Sequence, residues 1–416
     1  MTYLITSPYF WFFYFFVFLA IVEFVKSNKF VTRIPFFIGL IFLVLLIGLR
    51  DGSPDQATYI NIWSQMPSLS EFWISEKDYE QLKLQHPINL PNDTINTIFS
   101  DRPYFKNIYL FEGNYETLSM GFSFLISALK SLGFHNPIAL FMFVGMTVVS
   151  ASAIFCMRFS PLPILSFCLF FSWFLYPSFG AIRHALAMGM FMIFLIFWLN
   201  RRFIVASIAT ILGSSFHIVL LPIVLLLPIW EKMATRRFCV LLFLLSLAVA
   251  TLFGGFFHKF FQIYGDYLPV LIRYKYEAYE LALKTSGQAD FLSNPLVSGV
   301  LLKQCFILVS CFVFYGSATN KYLCFKALTF WYAVGVSSYL FFLDFSILSS
   351  RISNILTVVE VALIPMLLCS VDFKRYNRVV RFAGVLAVLA LCWAQLLSIY
   401  GNELREYEFI GFRSVL

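Results

Sequence analysis

GAIRHALAMGMFMIFLIFWLNRRFIVASIATILGSSFHIVLLPIVLLLPIWEKMATRR, residues 180–237, alternates apolar runs with basic groups in a way that sets the topology of the whole chain. The run 184–199 stops at Arg201 and Arg202, and the run 203–230 stops at Lys232, Arg236 and Arg237. Short loops rich in Lys and Arg mark the cytoplasmic side of a membrane. Both basic groups lie inside only if 203–230 goes out and comes back, turning near Ser214, Ser215, Phe216 and His217. A full crossing takes about 20 residues, so the 28 residues of 203–230 supply two short helices with an internal turn. Such a turn is tolerated in lipid only where it is buried in protein or wet.

Composition agrees with a membrane reading. Of 416 residues, 60% are hydrophobic and only 12% charged, and apolar runs recur along nearly the whole length. Further runs lie near 9–25, 34–49, 137–156, 162–178, 238–257, 296–315, 327–347, 352–369 and 382–400, with a weaker one at 117–133. The net charge of +8 does not imply a nucleic-acid partner, because the basic residues fall in short clusters between apolar runs. These clusters are Lys26, Lys29 and Arg33; Arg158; Arg201 and Arg202; Lys232, Arg236 and Arg237; Lys321 and Lys326; and Lys374, Arg375, Arg378 and Arg381. The eight cysteines lack CxxC spacing and read as packing residues, neither a metal site nor a disulfide set. The N-terminal run follows no basic segment and has no small-residue cleavage pattern, so it is expected to be a retained span.

Placing all six basic clusters inside requires that 117–133 not cross, which makes it a re-entrant or interfacial helix. The expected fold is an all-α polytopic membrane protein, one integral membrane domain over 1–416, with about twelve transmembrane helices and both termini outside. Two larger outer loops, 50–116 and 258–295, are where loop-borne function belongs.

The polar residues then fall on the outer face. Arg50, Asp55 and Tyr59 stand where the second span ends, and Glu116 closes the same loop. Arg183 and His184 open the fifth span, and His217 lies at the turn of the split run. Arg273, Tyr274 and Lys275 belong to the second loop, and Arg351 opens a late span. Ionisable groups inside a membrane cost about 2.5–3.5 kcal/mol on insertion scales, so they face a cavity or a partner. Arg50 alone is equally well read as a helix-end anchor, and Glu23, Asp344 and Glu360 as members of structural pairs. Arginine presents a fork of donors suited to phosphate oxygens, so several converging arginines point to a polyanion such as a pyrophosphate, here on a lipid. Five tyrosines between 264 and 279 suit sugar rings or an interfacial aromatic belt. The first loop carries ten acids against five bases, unlike a nucleic-acid footprint.

The succession LRDGSPDQATY, YETLSMGFSFLISALKSLG, GAIRHALAMGMFMIF, SSFHIVLLP and SSRISNIL resembles the EpsG-like, Wzy-type polysaccharide polymerases of bacterial envelopes, over about 34–370. The matching positions are Arg50, Gly52, Asp55 and Tyr59, then Glu116 with Gly121, then Arg183, then Phe216 with His217, then Arg351. Two departures are His184, where the family often has glutamine, and Pro54 beside Asp55. The resemblance implies a fold like that of GT-C-like glycosyltransferases. It also implies joining of undecaprenyl-diphosphate-linked repeat units into O-antigen or capsular polysaccharide, at the periplasmic face of the inner membrane. In that chemistry Arg50, Arg183, Arg273 and Arg351, with Tyr59 and Tyr274, bind substrate, and His217, Asp55 or Glu116 is the base, His217 being favoured for its near-neutral titration. No organic cofactor is implied, and a divalent metal stays open. The lipid-linked oligosaccharide, the bilayer and a polysaccharide chain-length regulator are the implied partners. A flippase or an O-antigen ligase for the same lipid-linked sugars is the alternative. A flippase would need internal repeats, which are not evident, and a cavity reachable from both sides.

Overall fold

The computed structural model describes residues 8–25, 29–51, 56–66, 68–69, 120–175, 181–226, 229–252, 260, 263–264, 299–343, 346–370, 377–402 and 408–409. These residues are overwhelmingly helical. The first elements are α1 (Pro8–Val25), α2 (Lys29–Gly48), a two-residue strand β1 (Arg50–Asp51), α3 (Gln56–Gln65), α4 (Met120–Ser131), α5 (Ile138–Phe159) and α6 (Pro163–Trp173). There follow α7 (Ile182–Leu199), α8 (Phe203–Phe216), a 3-10 turn at Ile218–Leu220, α9 (Leu221–Leu226), α10 (Trp230–Met233) and α11 (Arg236–Leu252). The chain continues with α12 (Gly299–Val313), α13 (Tyr315–Lys321), α14 (Phe325–Phe341), α15 (Ser346–Thr357), α16 (Glu360–Ser370), α17 (Asn377–Asn402) and β2 (Glu408–Phe409).

Among the described residues, α1, α5, α7 and the stretch 378–398 of α17 are long and apolar enough to cross a bilayer. Two bent pairs, α12 with α13 at 73° and Leu348–Thr357 with α16 at 48°, raise the number to six. Among the described residues these are fewer than the about twelve transmembrane helices expected, and the physical reason is length. The apolar run 162–178 yields only the 11-residue α6, and 203–230 is divided into α8, the 3-10 turn, α9 and α10. The apolar run 352–369 is broken at Val358 and Val359. α4 has 12 residues, about 18 Å of helix, too short to cross, and it packs against α5 and α8.

The surface supports a lipid environment. Leu302, Phe306, Val309 and Val313 lie on one face of α12 at helical spacing, and all are exposed, Phe306 by 74%. Ile204, Ile208 and Ile211 make a similar face on α8. Apolar stripes of this kind exceed what water-facing surfaces carry and suit hydrocarbon. These are the features of a multi-pass membrane protein.

Inside the bundle, aromatic residues set the helix spacing. Trp331 of α14 meets Phe191 and Phe194 of α7 at ring distances of 5.6 and 5.8 Å, and Trp230 at 5.5 Å. On the other flank Phe10 and Phe13 of α1 pack on Trp393 of α17, and Phe16 packs on Phe36 and Phe167.

Residues from the basic clusters gather at one end of this bundle. Arg158 donates to Asn200 at 2.7 Å, and Arg201 pairs with Glu231 at 3.1 Å. Arg158 is also within electrostatic reach of Cys324. At the same end Lys321 Nζ donates to the carbonyl of Cys369, and Arg378 donates to that of Val25, each placing a cation on the last turn of a helix. Glu23 caps the start of α6 by accepting the Ile164 N–H at 3.0 Å. Arg201 itself takes φ 61°, closing α7 through N–H bonds from Arg201 to Trp198 and from Arg202 to Phe197. From this end α7 runs back to Ile182, and α8 runs up to Phe216. The polar residues at 183, 184 and 217 therefore lie at the opposite end.

Candidate functional site

The turn that ends α8 is built by close packing. His217 is extended (φ −151°, ψ 117°), and its N–H still bonds to Gly213 O at 2.9 Å. The chain then doubles back, so that the Leu220 side chain lies over Gly213: a Cβ there would sit 2.5 Å from Leu220 Cδ1 and 3.0 Å from Met190 Cβ. Any larger residue would have to displace the Leu220 side chain. The return leg reaches Trp230, whose ring lies 5.9 Å from that of Trp198 at the basic end. The expected out-and-back path of 203–230 is thus followed by the backbone, with the reversal at His217. Ser214 and Ser215 remain helical, their hydroxyls donating to Thr210 O and Leu212 O.

A second close approach brings in α4. A Cβ on Gly121 would fall 2.0 Å from Ser215 Oγ, so glycine lets α4 touch α8 one turn from His217. The next residue, Phe122, is fully buried and meets Tyr59 of α3 edge to face at 5.6 Å. Tyr59, 5% exposed, is held beside the same turn through α4.

Three polar residues from separate parts of the chain converge here. His184, in the first turn of α7, is 3% exposed. Its ring stands edge to face against His217, with centroids 5.7 Å apart and planes at 81°. Arg351, on α15, acts electrostatically on His184, and α15 packs on both α7 and the 3-10 turn that follows His217. Arg183 is half-buried beside His184, and among the described residues no side chain caps the N-terminus of α7. Val219 donates its backbone N–H to His217 Nδ1 at 3.4 Å. A backbone amide is only a donor, so Nδ1 is the acceptor in this contact. His184 Nδ1 is buried with no hydrogen-bond partner among the described residues.

Of the residues expected at the site, the structure sets His217 against His184, packs the helix that carries Arg351 on α7 and on the turn after His217, keeps Arg183 next to His184 and reaches Tyr59 through α4. Asp55, Glu116, Arg273 and Tyr274 lie outside the described residues. Arg50 is described by its backbone alone, which pairs with Phe409 as Asp51 pairs with Glu408, bringing the chain after α17 to the second helix's far end.

Two features escaped the sequence reading. His184 entered it beside Arg183 at the opening of the fifth span and as a departure from a pattern, but was given no role at the site. Glu360 was expected to be paired, and it is, but with Lys303: Nζ to Oε1 is 2.7 Å, with Tyr332 donating to the other oxygen at 2.9 Å. A separate cavity of about 570 Å³ lies between α3 and the end of α4, lined by Ile60, Trp63, Ser64, Lys130, His135 and Pro137. Lys130 Nζ donates to Met66 O there. Among the described residues no group of three or more His, Cys, Asp or Glu is placed to hold a metal ion.

The family model described as the EpsG family matches residues 33–409. The chain belongs to the EpsG family. The match runs from the start of α2 to β2, so it takes in every helix that contributes to the His184, His217 and Arg351 cluster of this EpsG-family protein. Neither a curated protein nor a solved structure matches the chain.

Proposed function

We propose that this EpsG-family protein polymerises lipid-linked oligosaccharide repeat units into an O-antigen, capsular or exopolysaccharide. The site would face the periplasm in a bacterial inner membrane. Family membership supports the polymerase reading. The observation that carries the chemistry is the meeting of His184, His217 and Arg351 at the bundle end remote from the basic clusters. By the positive-inside rule, those clusters belong to the cytoplasm and the site to the outer face.

In the proposed reaction a sugar hydroxyl of one undecaprenyl-diphosphate-linked glycan attacks the anomeric carbon of another. The new C–O bond forms as the bond to the second lipid's diphosphate breaks, and the leaving oxygen keeps the electron pair. In this reading Arg50, Arg183, Arg273 and Arg351 neutralise the diphosphates, and Tyr59 and Tyr274 are the further substrate-binding residues. The hydroxyl proton passes to a base. Nδ1 of His217 accepts the Val219 N–H, which sets that nitrogen apart from the substrate proton. This favours Asp55 or Glu116 as base, with His217 as a donor to developing charge.

Purified protein supplied with one lipid-linked repeat unit tests the reading. A ladder of chain lengths is the expected product. Product only after a second, different acceptor is added would mean a ligase, and transbilayer movement without coupling would mean a flippase. A chain-length regulator added to the assay is expected to narrow the ladder.

A further inference from the structure

We propose that the cavity of about 570 Å³ between α3 and the end of α4 is a sugar subsite, holding uncharged units of the glycan at a distance from the diphosphate. The identity of the glycan rests on the polymerase reading, and the site rests on the cavity itself.

Its walls are braced by hydrogen bonds between parts of the chain remote in sequence. Trp63 Nε1 donates to His135 O at 3.3 Å, and the Leu69 N–H donates to Ser131 Oγ at 2.7 Å. Lys130 Nζ donates to Met66 O. These bonds tie α3 and the residues after it to the end of α4 and to the loop that leads into α5, with Trp63 and Met66 buried at the joint. A cavity framed in this way is pre-formed, as ligand sites usually are. Its volume falls in the range that takes a drug-sized ligand, the size of a disaccharide.

The lining selects the class of ligand. Ile60, Trp63 and Pro137 offer apolar surface, while Ser64, Lys130 and His135 bring hydroxyl, ammonium and imidazole groups. Among the described lining residues there is no arginine, and the one lysine is already hydrogen-bonded to Met66 O. A diphosphate would lack the forked donors that suit it there. A prenyl or acyl chain would take the polar half of the lining out of water without replacing its hydrogen bonds. A sugar presents C–H faces to the apolar wall and hydroxyls that both donate and accept to the polar one.

Position agrees with this. α5 starts at Ile138, next to Pro137 of the lining, and ends beside Arg158 among the basic clusters, so the cavity lies at the bundle end that carries His184 and His217. α4 leads from Gly121, which touches Ser215 beside the His217 turn, to Lys130 at the cavity, about 14 Å along the helix. A glycan whose reacting bond lies at the turn places sugars a few units away in the cavity.

The test uses the full-length protein in detergent and two soluble probes: the repeat-unit oligosaccharide freed from its lipid by mild acid, and inorganic pyrophosphate. Ser64 is exposed, so Ser64→Trp fills the cavity without forcing a new group into the core. Ile60→Trp fills it from the same helix and serves if the first variant does not fold. Leu132→Trp, at a position 75% exposed and outside the described lining, is the control. Filling is expected to weaken oligosaccharide binding about tenfold or more, the loss of one or two hydrogen bonds. Pyrophosphate binding is expected to stay as it is, and Leu132→Trp to bind both probes as the unchanged protein does. Oligosaccharide that does not bind the unchanged protein, or that binds a filled variant equally well, overturns the proposal. Equal weakening by Leu132→Trp also overturns it, as does a loss confined to pyrophosphate, which would mark an anion site. Oligosaccharide held in the cavity by protein that makes no polymer from the lipid-linked unit would refute the polymerase reading alone.

Discussion

Lys303 and Glu360, on α12 and α16, form a salt bridge of 2.7 Å in which the carboxylate is completely buried. Tyr332 donates to the second carboxylate oxygen, and the lysine ammonium lies 3.8 Å above the Trp173 ring. The adjacent Gln304 reaches Ser353 Oγ at 3.2 Å, on the same short helix as Arg351. The network therefore fixes the break between α15 and α16 and, through it, the station of Arg351.

Removing one partner leaves a charge buried and unmatched. Lys303→Met is expected to destabilise the protein by about 3–5 kcal/mol, and Lys303→Met with Glu360→Leu to recover most of that loss. Melting temperatures of the purified single and double variants check this. Equal stability of Lys303→Met and the unchanged protein would show that the pair does not bear on the fold.

The contact between α4 and α8 leaves no room for a methyl group. Gly121→Ala places Cβ 2.0 Å from Ser215 Oγ and 3.0 Å from the Ser215 carbonyl carbon, so the helices must separate. A cost of about 1–3 kcal/mol is expected, together with loss of polymer, because His217 and Tyr59 are positioned through this contact. Ser215→Gly in the Gly121→Ala background removes the side-chain clash and is expected to restore part of the chain-length ladder. Full activity of Gly121→Ala on a gel of extracted polysaccharide would contradict the contact.

His217 has a turn to hold as well as a ligand to meet. His217→Ala is expected to lower polymer formation by about 10²–10³-fold, the scale of losing one preorganised donor in a catalytic site. Asn at this position can still accept the Val219 N–H. His217→Asn is thus expected to keep the melting temperature closer to that of the unchanged protein than His217→Ala does. Turnover measured with purified lipid-linked substrate, alongside melting curves, separates the two effects.

Much of this arrangement was legible because it rests on charge and length. Arg201 and Arg202 on one side and Arg236 and Arg237 on the other leave a run too short for two crossings, and the reversal at His217 follows from that arithmetic. The bend before Glu360 was not legible, because the chain carries no turn residue at Val358 and Val359 and periodicity does not register a break there. Glu23 was read as a member of a structural pair, and the cap its carboxylate puts on α6, a contact set by tertiary packing, was not foreseen. His184 was passed over for a related reason: burial and a missing partner are properties of packed space, which spacing along a chain does not record.

Everything proposed for the site depends on Arg183 and Arg351 facing the outside. The direct test is single-cysteine labelling at 183 and 351 in a background with the eight native cysteines replaced, using a membrane-impermeant thiol reagent on intact spheroplasts. The account predicts labelling at both positions from outside, reduced by undecaprenyl diphosphate, and labelling at 201 and 378 only after the membrane is opened. Reagent reaching 183 and 351 only from the cytoplasmic side would contradict it.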